Sequence, residues 1–182
     1  MKFAATQLPD VVVIEPVVYE DERGFFMETW RENTFKEAGI DASFVQDNHS
    51  RSSFGGLRGL HYQVKQPQGK LVRVIQGEVF DVAVDLRRSS PTFGRWAGDV
   101  LSVGNRKLMW IPPGFAHGFL VLSEFAEFTY RCTDYFAPEH ERTLRWDDAD
   151  IGIDWPLRDG QKPLLSEKDK SGVSLKDAET YA

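Results

Sequence analysis

The sequence predicts an all-β fold, a sandwich or barrel of jelly-roll type with short peripheral helices and a C-terminal covering segment. Three observations carry that expectation. About ten short stretches read as strands, Gly, Pro and Asn punctuate them at close spacing, and only Asn33 to Ala38 reads as helix. The 182 residues suffice for one domain with its own core, and no repeat, linker or low-complexity tract divides residues 1–182. Thirteen phenylalanines and five tryptophans supply that interior and can stack on planar ligand groups.

In order along the chain, Val11 to Glu15 is a β-branched run closed by Pro16 and suits an outer or exchanged strand. Arg23-Gly24 reads as a turn feeding a strand in which Phe26, Glu28 and Trp30 share a face. Gly39 caps the short helix, and Ser43 to Ser50 returns to strand with Gln46, Asn48 and His49 available as hydrogen-bonding groups. The stretch Gly56 to Val74 then gives two strands joined through Lys65 to Gly69, a segment that reads as a hairpin connection through Pro67 and Gly69. After Gly77, Glu78 to Leu86 alternates strictly: Val79, Asp81, Ala83 and Asp85 share one face, which is either solvated or a polar barrel interior. Gly94 to Val103 and Lys107 to Ile111 form two more strands, with Gly104-Asn105 as a hairpin signal. Pro112-Pro113-Gly114 forces a turn that delivers His117 onto the next strand. Phe128, Tyr130 and Cys132 then share a strand face, and Asp134 to Glu141 is a loop with Tyr135, Phe136 and an exposed His140. From Trp146 onward the pattern is of loops and short turns that pack over the sheet.

Composition narrows the function. A net charge of -6 argues against a nucleic-acid surface. The single cysteine, Cys132, excludes an internal disulfide framework and suggests a reducing compartment. The N-terminal ten residues lack the apolar core of a signal peptide and no run is long enough to span a bilayer, so a soluble cytoplasmic protein without membrane contact is expected. Within this acidic chain, no Asp or Glu occurs between Asp47 and Glu78, and that window holds His61, Arg58, Arg73, Lys65 and Lys70. A histidine there can act as a general base beside an ammonium that stabilises a forming anion; equally, His61 alone reads as a hydrogen-bonded barrel histidine and Lys70 as a strand-edge charge.

The motifs G-L-R-G-L-H-Y-Q, Q-G-K-L-V-R-V, G-E-V-F-D-V-A-V-D and P-P-G-F-A-H-G-F resemble the cupin fold, with a departure. Where metal-binding cupins supply H-x-H and a glutamate, this chain has His61-Tyr62-Gln63 and Lys70, and an ammonium offers a cation no lone pair, so no metal and no cofactor are expected. With D-E-R-G-F-F, F-V-Q-D-N-H-S, T-Y-R-C-T-D-Y-F-A-P and L-L-S-E-K-D added, nearly the whole chain resembles the dTDP-4-dehydrorhamnose 3,5-epimerase family of dTDP-L-rhamnose biosynthesis, which serves cell-surface polysaccharide. The resemblance implies epimerisation of dTDP-4-dehydro-6-deoxy-D-glucose at C3 and C5, by proton removal and return beside the C4 ketone. By matching motifs it implies His61 as base, Asp169 as its dyad partner, Lys70 at the C4 oxygen and Tyr130 as acid. It also implies substrate contacts from Arg23, Phe26, Glu28, Gln46, Asn48, Arg58 and His117, with Tyr135 and Phe136 stacking on thymine, and a homodimer that shares contacts near the N-terminal motif. The alternatives are an enzyme inverting C3 or C5 alone, a non-catalytic sugar-nucleotide-binding cupin, and a metal-dependent cupin oxygenase or isomerase. Arg58 and His61 have opposite parity on a regular strand, so an irregularity at Gly59 is expected if both reach one site.

Overall fold

The strand-forming runs become thirteen strands in a computed structural model, which describes residues 1–158 and 160–182. In chain order they are β1 (Lys2–Ala5), β2 (Val12–Glu15), β3 (Val18–Asp21), β4 (Gly24–Met27), β5 (Gln46–Ser53), β6 (Leu57–Gln63), β7 (Lys70–Gln76), β8 (Glu78–Asp85), β9 (Trp96–Ser102), β10 (Leu108–Ile111), β11 (Phe115–Val121), β12 (Phe125–Cys132) and β13 (Glu141–Thr143). Two short helices, α1 (Glu32–Glu37) and α2 (Glu167–Lys170), lie outside the sheets. A six-stranded sheet runs β1-β2-β10-β7-β12-β5 and a five-stranded sheet runs β13-β6-β11-β8-β9, all neighbours antiparallel, while β3 and β4 pair only with each other. This is the expected jelly-roll sandwich.

The inner faces meet in a core of Val72, Val74, Met109, Ile111 and Phe128 from one sheet and Val79, Ala83, Phe115, Phe119 and Val121 from the other. Burying each large side chain such as Phe128 stabilises the fold by roughly 1.5–3 kcal/mol. Outside the six-stranded sheet, Phe35 of α1 packs on Ile14, Leu71, Leu108 and Trp110. That helix closes with paired bonds from Gly39 N–H to Lys36 O (3.0 Å) and Ile40 N–H to Phe35 O (2.8 Å), for which Gly39 adopts φ +85°. Outside the five-stranded sheet, Ile151, Trp155 and Ala178 of the C-terminal segment cover Leu60, Val82 and Leu120, as the sequence suggests.

Several local expectations change. Lys65 to Gly69 does not close a hairpin, because β6 and β7 belong to different sheets and the segment crosses between them. The chain turns at Gln66, whose φ is +52°, and enters β7 with Gly69 pressed so closely on Trp110 that a Cβ there would sit 2.6 Å from the indole. Gly104-Asn105 likewise joins strands of different sheets: Asn105 binds back to Ser102 N–H (3.0 Å) and Val100 O (2.8 Å), ending β9 instead of folding it onto β10. His140 is half-buried, in a 3₁₀ turn whose carbonyl accepts from Val64 N–H. The run at Val12 lies one strand in from the edge, because Lys2–Ala5 pairs outside it. The strand after Arg23-Gly24 ends at Met27, so Glu28 and Trp30 fall beyond it.

The irregularity expected at Gly59 is present. His117 pairs with His61 and Phe119 with Arg58, so β6 spends one more residue than β11 over that interval, a β-bulge. Gly59 has φ +123°, and a Cβ on it would lie 2.6 Å from Gly118 Cα and 2.7 Å from His117 O. We therefore expect Gly59→Ala to destabilise the fold by about 3 kcal/mol, from left-handed strain plus backbone clash. Equilibrium denaturation checks this, and an unchanged midpoint would show that the bulge is not needed.

Candidate active site

Between the sheets at the β5–β6 end lies a cavity of about 660 Å³ lined by polar groups from both walls and from the covering segment. Parity sets which side chains reach it. On the six-stranded sheet, Lys70, Val72 and Val74 point inward while Leu71 packs outside, and the register brings Tyr130 beside Val72 and Asn48, and Cys132 beside Lys70 and Gln46. On the facing sheet, adjacent His61 and His117 line the opposite wall, and the bulge brings Arg58 to the same space.

His61 is held from the covering segment. Its Nε2 lies 2.7 Å from Oδ1 of Asp169, which also accepts from Gly59 N–H at 3.2 Å. Nε2–H donation leaves Nδ1 as the ring's free acceptor. Asp169 is itself fixed at the start of α2. Ser166 Oγ–H donates to its Oδ2 (2.6 Å) and accepts from its N–H (3.2 Å), so the dyad carboxylate doubles as half of a capping box. Burial alone would raise the Asp169 pKa, but the hydrogen bonds from His61, Ser166 and Gly59 outweigh it and hold the group at about 2. Burial, helped by Lys168 and Lys70, lowers the His61 pKa against the pull of Asp169, so the ring is a neutral base at pH 7. If His61 acts as the base, the acidic limb of kcat/KM should inflect below the ordinary imidazole value of about 6.5. A pH–rate profile checks this, and an inflection above that value would count against the assignment.

The other groups form a consistent field. Lys70 is half-buried, and among the described residues it has no ion pair; burial pushes its pKa down, while Cys132, Glu141 and Asp81 pull it back up. Tyr130 is half-buried, and its phenol is pushed upward by burial and by Cys132, with Arg58 opposing, which keeps the proton on the oxygen. His117 donates from Nε2 to both carboxylate oxygens of fully buried Asp81 (3.1 and 3.0 Å) and stacks on Phe128. At the wall beside His61, Lys168 pairs with Glu141 at 2.9 Å. Arg58 is oriented by Ser52 Oγ at 2.8 Å. Chemically, the cavity offers a neutral base backed by a carboxylate, a cation and a protonated phenol on the facing wall, and hydrogen-bonding amides beside them. Among the described residues, no three His, Cys, Asp or Glu side chains are grouped as metal ligands.

Of the residues singled out from sequence, His61, Asp169, Tyr130, Lys70, Gln46, Asn48, Arg58, His117 and Phe136 line this cavity. Arg23, Phe26, Glu28 and Tyr135 do not. Arg23 sits at the exposed tip of the β3–β4 ribbon, paired with Asp21; Phe26 is 69% exposed on β4; Glu28 pairs with Arg31; and Tyr135 is 61% exposed outside the rim. Among the described residues the ribbon pairs only with itself, and it is tied down by Arg106, which bonds Glu20 (2.7 Å) and stacks on Phe25. His49 points outward and pairs with Glu127. Sequence reasoning did not identify Ser166 or the use of Asp81. The spacing Ser166-x-x-Asp169 is a capping signal, and strict alternation in β8 put Asp81 on one face with Val79 and Ala83.

Comparison with known proteins bears on the same site. A family model described as dTDP-4-dehydrorhamnose 3,5-epimerase matches residues 5–177. The chain is 60% identical over 182 residues to a Pseudomonas aeruginosa protein named dTDP-4-dehydrorhamnose 3,5-epimerase, covering 100% of this chain and 99% of that one. Its fold resembles that of dTDP-6-deoxy-D-glucose-3,5-epimerase from Legionella pneumophila, solved with dTDP-4-keto-L-rhamnose. The TM-score is 0.94 and the identity 52%, covering 98% of this chain and 94% of that one. It also resembles ChmJ, a 3'-monoepimerase from Streptomyces bikiniensis solved with dTDP-quinovose, with a TM-score of 0.87 and 34% identity over 94% of this chain and 87% of that one.

Proposed function

Because the chain belongs to the dTDP-4-dehydrorhamnose 3,5-epimerase family, we propose that it converts dTDP-4-dehydro-6-deoxy-D-glucose to dTDP-4-dehydro-L-rhamnose by inverting C3 and C5 in turn. The observation that carries the reading is the His61–Asp169 dyad facing Lys70 and Tyr130 across one cavity. The C3 and C5 hydrogens flank the C4 ketone, so losing either leaves an enolate whose charge resides on the C4 oxygen. His61 removes the proton, and Asp169 supports the imidazolium that forms. Lys70 donates to the C4 oxygen as charge develops. Tyr130, from the opposite wall, returns a proton to the other face, which inverts the centre.

Gln46, Asn48, Arg58 and His117 hold the sugar and diphosphate, and the Phe136 ring at the rim serves the thymine. Arg23, Phe26 and Glu28 reach a substrate only from another copy. The exposed Tyr19, Phe25 and Phe26 of the β3–β4 ribbon support a homodimer in which each ribbon completes its partner's site. A small anionic substrate, a net charge of -6 and one buried free cysteine suit a cytoplasmic enzyme with no nucleic-acid or membrane partner. Among the described residues, no helix is long and apolar enough to cross a membrane.

The decisive experiment is proton NMR of the substrate with the protein in deuterated water. Deuterium at both C3 and C5, with product accepted by a dTDP-4-dehydrorhamnose reductase, is the expected result. Label at one carbon alone would instead favour a single-centre enzyme, a reading that the 34% identity to a 3'-monoepimerase keeps specific. Tyr130→Phe separates the two half-reactions. It should lower net epimerisation about 10²-fold with little change in KM while hydrogen exchange persists; equal loss of exchange and epimerisation would reassign the acid.

A further inference from the structure

Gln63 ends β6, two residues beyond His61, and is 3% exposed, yet it does not line the cavity. Its side-chain amide makes three hydrogen bonds, all to backbone. Nε2 donates to Gln66 O (2.7 Å) and Tyr135 O (3.2 Å), and Oε1 accepts from Ala137 N–H (2.9 Å). It thus grips the backbone on both sides of Phe136 and ties it to the crossing segment that leads into Lys70. Gln68 Nε2 to Asp134 O (2.8 Å) and Gly69 N–H to Thr133 Oγ1 (2.8 Å) continue the same seam. From the cavity side, Gln46 Oε1 accepts the Phe136 N–H at 2.8 Å. Phe136, 49% exposed, is therefore an aromatic face set at the rim by its backbone, whereas Tyr135 beside it turns away from the cavity.

We propose that Gln63 is a positioning residue for recognition of the substrate's base: by fixing the Tyr135–Ala137 backbone it holds the Phe136 ring where a planar heterocycle stacks. This rests on reading the cavity as a dTDP-sugar site. A buried amide with both donors and its acceptor in use leaves the segment one geometry, so losing those bonds leaves the ring present but free to move. The cost falls on binding, because the base is remote from the carbons that exchange protons. Gln46 cannot serve as the test, since it also lines the cavity.

Gln63→Met keeps the volume and removes the three bonds, and Gln63→Glu keeps an acceptor for Ala137 N–H. Calorimetry with dTDP and steady-state kinetics with the dTDP-sugar are measured for both, in the wild-type background and with Phe136→Ala. In Gln63→Met, dTDP affinity should fall and KM rise by about tenfold, in line with the loss of one stacking contact, with kcat held within about twofold. On the Phe136→Ala background the same change should add less than about twofold, because the ring through which Gln63 acts is gone. Binding of pyrophosphate should be unchanged. Equal dTDP affinity in wild type and variant, a matching drop in kcat, or full additivity with Phe136→Ala would overturn the proposal. If the Met variant unfolds below the assay temperature, the Glu variant decides by the same criteria. Wild-type protein that does not bind dTDP would instead defeat the underlying site reading, and this proposal with it.

Discussion

His61→Asn should lower turnover by about 10³-fold or more and abolish deuterium incorporation at both C3 and C5, while dTDP still binds. The two positions should fail together if His61 serves both centres: its Nε2 is committed to Asp169, which leaves Nδ1 to accept a proton from either carbon. Asparagine retains a polar group of similar reach, so the cavity's volume and hydrogen-bonding capacity change little. The loss would then report proton abstraction instead of collapse of the site. Deuterium entering one carbon at near-normal rate would mean that a second base serves that centre, and Asp81-bound His117 would be the next group to test.

Lys70→Met should cost about 10²–10³-fold in kcat with a smaller change in KM, because the ammonium's task grows as charge moves onto the C4 oxygen. Lys70 suits that task for a reason visible in its surroundings: among the described residues it has no carboxylate partner, so its charge is available to a ligand. Methionine preserves the packing near Val72 and Cys132 and removes only the charge and donors. The measurement is a KM-against-kcat comparison with parallel dTDP calorimetry. Equal loss in KM and binding with kcat intact would make Lys70 a diphosphate or sugar anchor.

Legibility of these features followed the range of the interaction. Side-chain parity is local, and it correctly put Phe128, Tyr130 and Cys132 on one face of β12 and flagged the conflict between Arg58 and His61 that the bulge at Gly59 resolves. The C-terminal cover was legible from its turn-rich composition. Which sheet a strand joins is a long-range choice, and alternation is silent on it. For that reason Lys65 to Gly69 and Gly104-Asn105, each with ordinary turn residues, read as hairpins although both cross the sandwich. The contact between His61 and Asp169 spans 108 positions and came from motif resemblance alone; the local signal at Ser166 and Asp169 announces a helix start and says nothing about an imidazole. The β3–β4 ribbon with Arg23 and Phe26, and Glu28 just after it, shows the same limit, since nothing within one chain says which surface it serves.

The crossing of Lys65 to Gly69 has a kinetic consequence. Because His61 stands on one sheet, Lys70 and Tyr130 on the other, and Asp169 on a segment that packs last in sequence order, no half-built chain brings the four side chains together. Joining distant strands is the slow, entropically costly stage of refolding an antiparallel sandwich. Regained turnover after dilution from denaturant should therefore lag secondary-structure recovery and keep time with sheet-to-sheet docking, making catalysis itself the clock for the final folding event.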